Sequence, residues 1–302
     1  MLLGFLYGIG AAFFWSLTNI IDKHLTHKHA GDGNVWGIVV LSCFFPLVLL
    51  PICLYFSDVT VARGDAAILM LSGALMVSWI YFYLKALTED DTSVVMTLLV
   101  LAPLFSLIFG TILLGETLSA IQMMGGALLV GGALIVSYEP HEKKFKRKLI
   151  VYAVLASAIL GLLMTLFKFS SFEDNIWPSM YWRSIGMIVS GLLLCFLITP
   201  IRQRFHHFVT QYLRKGLTLN TANESLTLAG DTVFAFAILL APVALVQTTE
   251  AYQPVFIIGI SFILSQLGIQ SVAEDYSKTS LLAKIVGIIL VSLGSVVLIS
   301  QG

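Results

Sequence analysis

Apolar residues run along this chain in continuous blocks, with no alternation of apolar and polar positions. A block of about 20 apolar residues is what an α-helix needs to cross a bilayer. Continuous apolarity argues for helices, because membrane barrels alternate. Counting such blocks predicts ten spans, near 2–21, 35–56, 66–87, 92–114, 118–138, 149–168, 177–199, 217–240, 243–267 and 281–299. The longest connections, 22–34, 139–148, 200–216 and 268–280, are too short to fold as soluble domains. Function is therefore expected inside the membrane or in short loops. The first block lacks a basic flank and a small-residue cleavage site, so it does not read as a cleaved signal peptide. Trp36 and Trp177 open two of the blocks, where interfacial aromatics belong, and Pro178 suits the first turn of the seventh helix.

The blocks also repeat. Pro103 aligns with Pro254, and Gly125 and Gly132 align with Gly287 and Gly294. Trp15-Ser16 through Lys23 aligns with Leu160-Gly161 through Lys168. The chain then divides into residues 1–140 and 141–302, each with five helices. An odd number of spans per unit makes the two halves insert in opposite directions. The expected fold is an all-α polytopic membrane protein, ten transmembrane helices arranged as two inverted five-helix repeats. Pro103 and Pro254 fall near the middle of their spans and are expected to kink them beside a central cavity.

This arrangement resembles the drug/metabolite transporter superfamily, specifically its EamA-like ten-helix branch. The residues that carry the resemblance are Pro103, Gly115-Glu116-Thr117, Gln122 and glycines 125, 126, 131 and 132, with Pro254, Gly287 and Gly294 in the second copy. The second copy lacks a clean Gly-Glu pair and offers only Glu274-Asp275. The resemblance implies a transporter of small organic molecules that works by alternating access. It leaves the substrate open, since the superfamily carries amino acids, nucleotide sugars, amines and drugs. It also implies that the first and third helices line the cavity. Trp15, Asn19, Trp79 and Tyr83 would then face the solute, with stacking or cation–π contacts from the rings; packing against lipid or helices is the competing reading.

Composition sharpens the class. Of 302 residues, 58% are hydrophobic and 11% charged, and mean hydropathy is +0.94. A soluble domain carries about 25% charge, so disordered, fibrous and ordinary soluble classes are excluded. The formal net charge is zero, which argues against a nucleic-acid partner. Cys43, Cys53 and Cys195 lie within apolar blocks and read as small hydrophobes. Lys and Arg concentrate on odd-numbered connections, which the positive-inside rule places in the cytoplasm, with both termini outside. Relatives in the resembled superfamily are usually drawn with both termini in the cytoplasm, so the two indications differ.

Charged groups within a span cost several kcal/mol unless paired or hydrated, which makes each a candidate for function. In the eighth span Asn220, Glu224, Thr227 and Asp231 share one helical face. In the ninth, Gln247, Glu250 and Pro254 share another. Arg183 enters the seventh span from the side that Glu250 enters, so Arg183, Glu250 and Asp231 are expected at similar depth. Such a cluster suits a zwitterion, a cation or a proton; a simple Arg183–Glu250 packing pair is the alternative. Lys23 and Lys168, at span ends, read as solvated interface residues. Asp22, His24, His27, His29 and Asp32 crowd the first connection, without ligand spacing on a defined element. The basic stretch 202–215 is amphipathic and suits an anionic leaflet.

The leading expectation is a secondary transporter of an amino acid, amine or related small solute, proton-coupled or exchanging, in a bacterial inner membrane. Its partners would be the solute and the bilayer, as monomer or homodimer, with no cofactor and no metal. Phosphate-binding and common hydrolase motifs are absent from the sequence, so ATP-driven pumping lacks support. The alternative is a polytopic enzyme acting on a lipid-linked substrate through His24 or His27. A non-transporting membrane scaffold would leave the polar face of the eighth span unexplained.

Overall fold

The computed structural model describes residues 2–29, 35–114, 120–139, 144–170, 175–212, 215–240, 246, 248–268 and 277–299. Helix dominates throughout. Six helical segments among the described residues are long and apolar enough to cross a membrane. The outer surface displays large apolar side chains such as Leu6, Ile112, Met124, Phe196, Phe262 and Leu293, while Asn19, Asn223, Glu224 and Glu250 are buried. This inversion of the soluble pattern identifies an integral, multi-pass membrane protein.

Helix α1 spans Leu2–His29. It runs eight residues past the expected end of the first span, and this brings Asp22 into the helix. The second segment is interrupted at Pro46: α2 (Trp36–Phe44), a 3-10 turn (Phe45–Val48) and α3 (Leu49–Phe56) follow one another. Then come α4 (Arg63–Glu89), α5 (Thr92–Leu99), α6 (Ala102–Leu114) and α7 (Ala120–Ser137). A two-residue antiparallel pairing, β1 (Tyr138–Glu139) with β2 (Lys144–Phe145), joins the halves. The second half contains α8 (Arg147–Ser170), α9 (Trp177–Leu197), α10 (Thr199–Tyr212) and α11 (Lys215–Leu240). A 3-10 turn (Thr248–Tyr252) leads into α12 (Gln253–Gln266), and α13 (Lys278–Ile299) closes the order.

The two prolines differ from expectation. Pro103 and Pro254 each occupy the first turn of a helix, α6 and α12. The segment breaks just before each one, at Val100–Leu101 and at the 3-10 turn ending in Tyr252. A proline lacks the N–H that would bond the carbonyl four residues back, here Leu99 and Glu250, and needs none in a first turn, so it starts a new helix here instead of continuing an old one.

Packing between the halves is reciprocal. Helix α1 lies against α11, and α4 lies against α8. Likewise α1 meets α12 while α6 meets α8, and α7 pairs with α13. Small residues set the closest approaches. A Cβ on Gly132 would come within 2.9 Å of the Gly287 carbonyl oxygen, so a glycine from each repeated pair meets at the α7–α13 contact. Gly73 of α4 and Gly186 of α9 interlock most tightly: a Cβ on either would sit 2.0 Å from a carbonyl oxygen, of Arg183 and Met70 respectively. In lipid, where apolar burial does little to drive helix pairing, such backbone contact is a main source of cohesion.

Helix α10 carries the amphipathic stretch. It buries Ile201 and Phe208, the latter beside Gly37 of α2, and exposes Arg202, Arg204, His206 and His207.

Candidate functional site

A cavity of about 180 Å³ opens between the halves. Its walls come from α1, α2, α4, α5, α8, α9, α11 and the broken ninth segment. Most of the expected residues line it: Trp15, Asn19, Trp79, Tyr83, Arg183, Glu224, Thr227, Asp231 and Glu250. Asn220 is buried but does not line it. Gln247, Gly115-Glu116-Thr117 and Glu274-Asp275 lie outside the described residues. Pro103 and Pro254 do not face the cavity themselves; the breaks they cause expose Leu99, Val100, Glu250 and Gln253 to it.

Asp22, Ser42, Asn223 and Gln253 also line it, and the sequence reading did not place them there. Asp22 was expected in a loop. Trp15, Asn19 and Asp22 follow a +4, +7 pattern on α1, and that helical periodicity was the signal available. Ser42 sits in an apolar run that gives no hint of its role.

The walls differ in chemistry. On α1 and α11 they are polar, with Asn19, Asp22, Asn223, Glu224, Thr227 and Asp231. On α8 the residues aligned with Trp15, Asn19 and Asp22 are Leu160, Met164 and Phe167, and all six line the cavity. Helix α4 adds Met76, Ile80 and Leu84 to this apolar side, together with Trp79 stacked on Tyr83 at 5.2 Å.

Hydrogen bonds knit the polar wall. The Trp15 indole N–H donates to Asp231 Oδ1 at 3.1 Å. The Ser42 hydroxyl donates to Glu224 Oε1. Asn19 Nδ2 donates to Gln253 Oε1 at 2.7 Å and meets Met96 Sδ at 3.0 Å. The Tyr83 oxygen lies 2.8 Å from Asn19 Oδ1 and 2.9 Å from Asp22 Oδ2, and Asn223 Nδ2 donates to Asp22 Oδ1 at 2.7 Å.

Two charged groups stay open. Arg183 lies over the Phe167 ring at 5.5 Å, with Nη2 3.6 Å from Met76 Sδ. It acts on Asp231 through space, without ion-pair contact. Glu250 is 8% exposed and has no hydrogen-bond or ion-pair partner among the described residues. The expected Arg183–Glu250 packing pair is therefore not formed. Trp79 Nε1 is buried without a hydrogen-bond partner among the described residues.

Lys23 is not a solvated interface residue. Its ammonium donates to the Leu87 carbonyl at 2.6 Å and to that of Asp90, at the end of α4. His24 lies within α1 and away from the cavity. The described residues contain no cluster of metal-ligating side chains.

Comparison with known proteins bears on this cavity. Residues 2–138 match the model of the EamA-like transporter family. The chain is 28% identical over 146 residues to a probable amino-acid metabolite efflux pump of Salmonella typhimurium strain LT2. That match covers 44% of this chain and 47% of the pump, so the chain spans about half the length of the curated relative it matches. A solved crystal structure of another protein superposes with a TM-score of 0.56 at 15% identity, covering 99% of both chains. That likeness speaks to the fold.

Proposed function

We propose that this chain, EamA-like over residues 2–138, is a secondary transporter of zwitterionic metabolites of the amino-acid class. The observation that carries the proposal is an unpaired cation and an unpaired carboxylate, Arg183 and Glu250, facing one cavity. Burying either charge alone costs several kcal/mol. A solute with an anionic and a cationic end would offset both. The solute carboxylate meets Arg183, whose planar guanidinium suits bidentate contact, and the ammonium meets Glu250. The apolar side of the cavity and the Trp79–Tyr83 stack receive an apolar or aromatic side chain. The name of the Salmonella relative, an amino-acid metabolite efflux pump, supports the same solute class.

The transport cycle is alternating access between two inverted units, 1–140 and 141–302. The reciprocal packing of α1 on α11 and α4 on α8 supports this repeat. The breaks before Pro103 and Pro254, on two segments whose helices α5 and α12 touch, supply hinges beside the cavity. The setting is a bacterial inner membrane. The enzyme reading through His24 or His27 has no support from the comparisons, which point to transporters.

The test is counterflow of radiolabelled phenylalanine into proteoliposomes. Uptake that unlabelled phenylalanine stimulates, and that Arg183→Gln and Glu250→Gln each reduce at least about tenfold, is the expected result. Wild-type protein that moves neither phenylalanine nor other zwitterionic amino acids would remove the proposal.

A further inference from the structure

Charge at the cavity does not balance once the solute is in place. Asp22, Glu224, Asp231 and Glu250 face a single guanidinium, Arg183. A zwitterion engages Arg183 and Glu250 and adds no net charge, so carboxyls remain in a setting of low dielectric. One of them is singled out by counting hydrogens.

Asn19 uses both amide N–H groups, toward Gln253 Oε1 and Met96 Sδ. Its Oδ1 is therefore an acceptor, and the Tyr83 hydroxyl, 2.8 Å away, donates to it. Tyr83 has one proton to give. Its oxygen also lies 2.9 Å from Asp22 Oδ2. Both contacts are hydrogen bonds only when Asp22 supplies the second proton. The other Asp22 oxygen accepts from Asn223, as the carbonyl oxygen of a neutral carboxyl group does.

We propose that Asp22 carries the coupling proton of this transporter and passes its state through Tyr83 and Asn19 to the broken ninth segment. The inference rests on the transport reading above. With the proton in place, the chain Asp22–Tyr83–Asn19–Gln253 links α1, α4 and the start of α12. When the proton leaves to bulk water, Tyr83 turns its hydroxyl to the carboxylate, and Asn19 Oδ1 loses its donor. Gln253 stands three residues beyond Glu250 and next to Pro254, so this loss falls on the turn that holds the proposed ammonium site. The titratable and charged groups facing this region are Tyr83 from α4, Glu224 and Asp231 from α11, Glu250 from the 3-10 turn and Arg183 from α9. Glu224 repels a charge on Asp22 directly. The Lys23 ammonium is turned away, onto the end of α4.

The test needs no solute at first. Reconstituted protein is titrated while infrared difference spectra follow the carbonyl stretch of neutral carboxyl groups. The wild type should show a band that Asp22→Asn removes and that Glu224→Gln, Asp231→Asn and Glu250→Gln leave in place. Asn keeps an N–H for Tyr83, so folding should survive. Tyr83→Phe gives a second handle, because removing the acceptor should move the same band. A titrating band that neither variant changes would overturn the proposal. Transport then separates the two readings. Asp22→Asn should still exchange phenylalanine across the membrane at equal pH, while a pH gradient no longer drives its accumulation. Gradient-driven accumulation retained in Asp22→Asn, or wild-type exchange indifferent to a pH gradient, would sink the role of Asp22 and leave the transporter standing. Absence of any transport in the wild type would remove the transport reading instead.

Discussion

The Lys284 ammonium, on α13, lies 2.7 Å from the Asp91 carboxylate at the turn between α4 and α5, and the lysine side chain is only 3% exposed. Its neighbour Asp90 receives Lys146 at 2.7 Å, and Lys23 of α1 donates to carbonyls of the same corner. Three lysines from separate parts of the chain thus converge on one acidic turn. Asp91 is more exposed than Lys284, at 24%. Losing the carboxylate therefore costs more than losing the cation. We expect Asp91→Asn to destabilise the protein by about 3 kcal/mol, because a buried ammonium loses a charged partner at 2.7 Å. Lys284→Met should cost less than half of that, since it removes the buried charge and keeps the stem. Thermal unfolding in detergent should rank the two variants in that order; the reverse order would assign Lys284 to a different partner.

Gly73 and Gly186 offer a steric test. A Cβ at either would sit 2.0 Å from a backbone carbonyl oxygen, and backbone yields less readily than a flexible side chain. Gly73→Ala and Gly186→Ala should each force α4 and α9 apart and lower the yield of monodisperse protein. Gly64, with open space around its Cβ position, is the control. Gly64→Ala should be neutral or stabilise by up to about 0.5–1 kcal/mol, through a less flexible unfolded chain.

Asp231 is held by the Trp15 indole at 3.1 Å, and a Cβ on Gly230 would press on that indole nitrogen at 2.8 Å. Trp15→Phe keeps a ring against Phe234, now 5.0 Å away, and loses the donor. A hydrogen bond to a charged group is worth about 1.5–3 kcal/mol. We expect Trp15→Phe and Gly230→Ala to weaken phenylalanine binding to a similar extent, about tenfold or more, and Trp15→Phe to lower folding stability by no more than the worth of that one bond. Asp231→Asn should abolish uptake while the protein still folds. Full activity in Asp231→Asn would exclude Asp231 from the mechanism. Isothermal titration and size-exclusion profiles read both quantities.

Ser42 reaches Glu224 from α2 across to α11. Ser42→Ala removes the one described donor to this buried carboxyl group, which Glu224→Gln does not need in the same way. Uptake should fall in Ser42→Ala and recover in part when Glu224→Gln is added. A purely additive loss in the double variant would show that the two side chains act separately.

The positions of the helical segments were legible in the amino-acid order alone. Partition into a bilayer depends on local hydropathy, and the apolar blocks declare it residue by residue. The polar face of α11 was legible for a related reason: Glu224, Thr227 and Asp231 keep helical spacing, and one helix suffices to bring them together. The paired prolines and glycines marked where segments break and approach, although Pro103 and Pro254 turned out to begin helices and not to bend them. Only the tertiary structure decided which groups complete the cavity. Asp22 lay beyond the apolar block that defined the first span, and its helix continues because Tyr83 and Asn223, from α4 and α11, satisfy the carboxyl group there. Ser42 and Gln253 acquire partners 182 and 234 residues away. Hydropathy is a property of neighbours along the chain. A chain of hydrogen bonds such as Asp22–Tyr83–Asn19–Gln253 and an unanswered charge such as Glu250 draw on distant segments, and only folding brings those to one place.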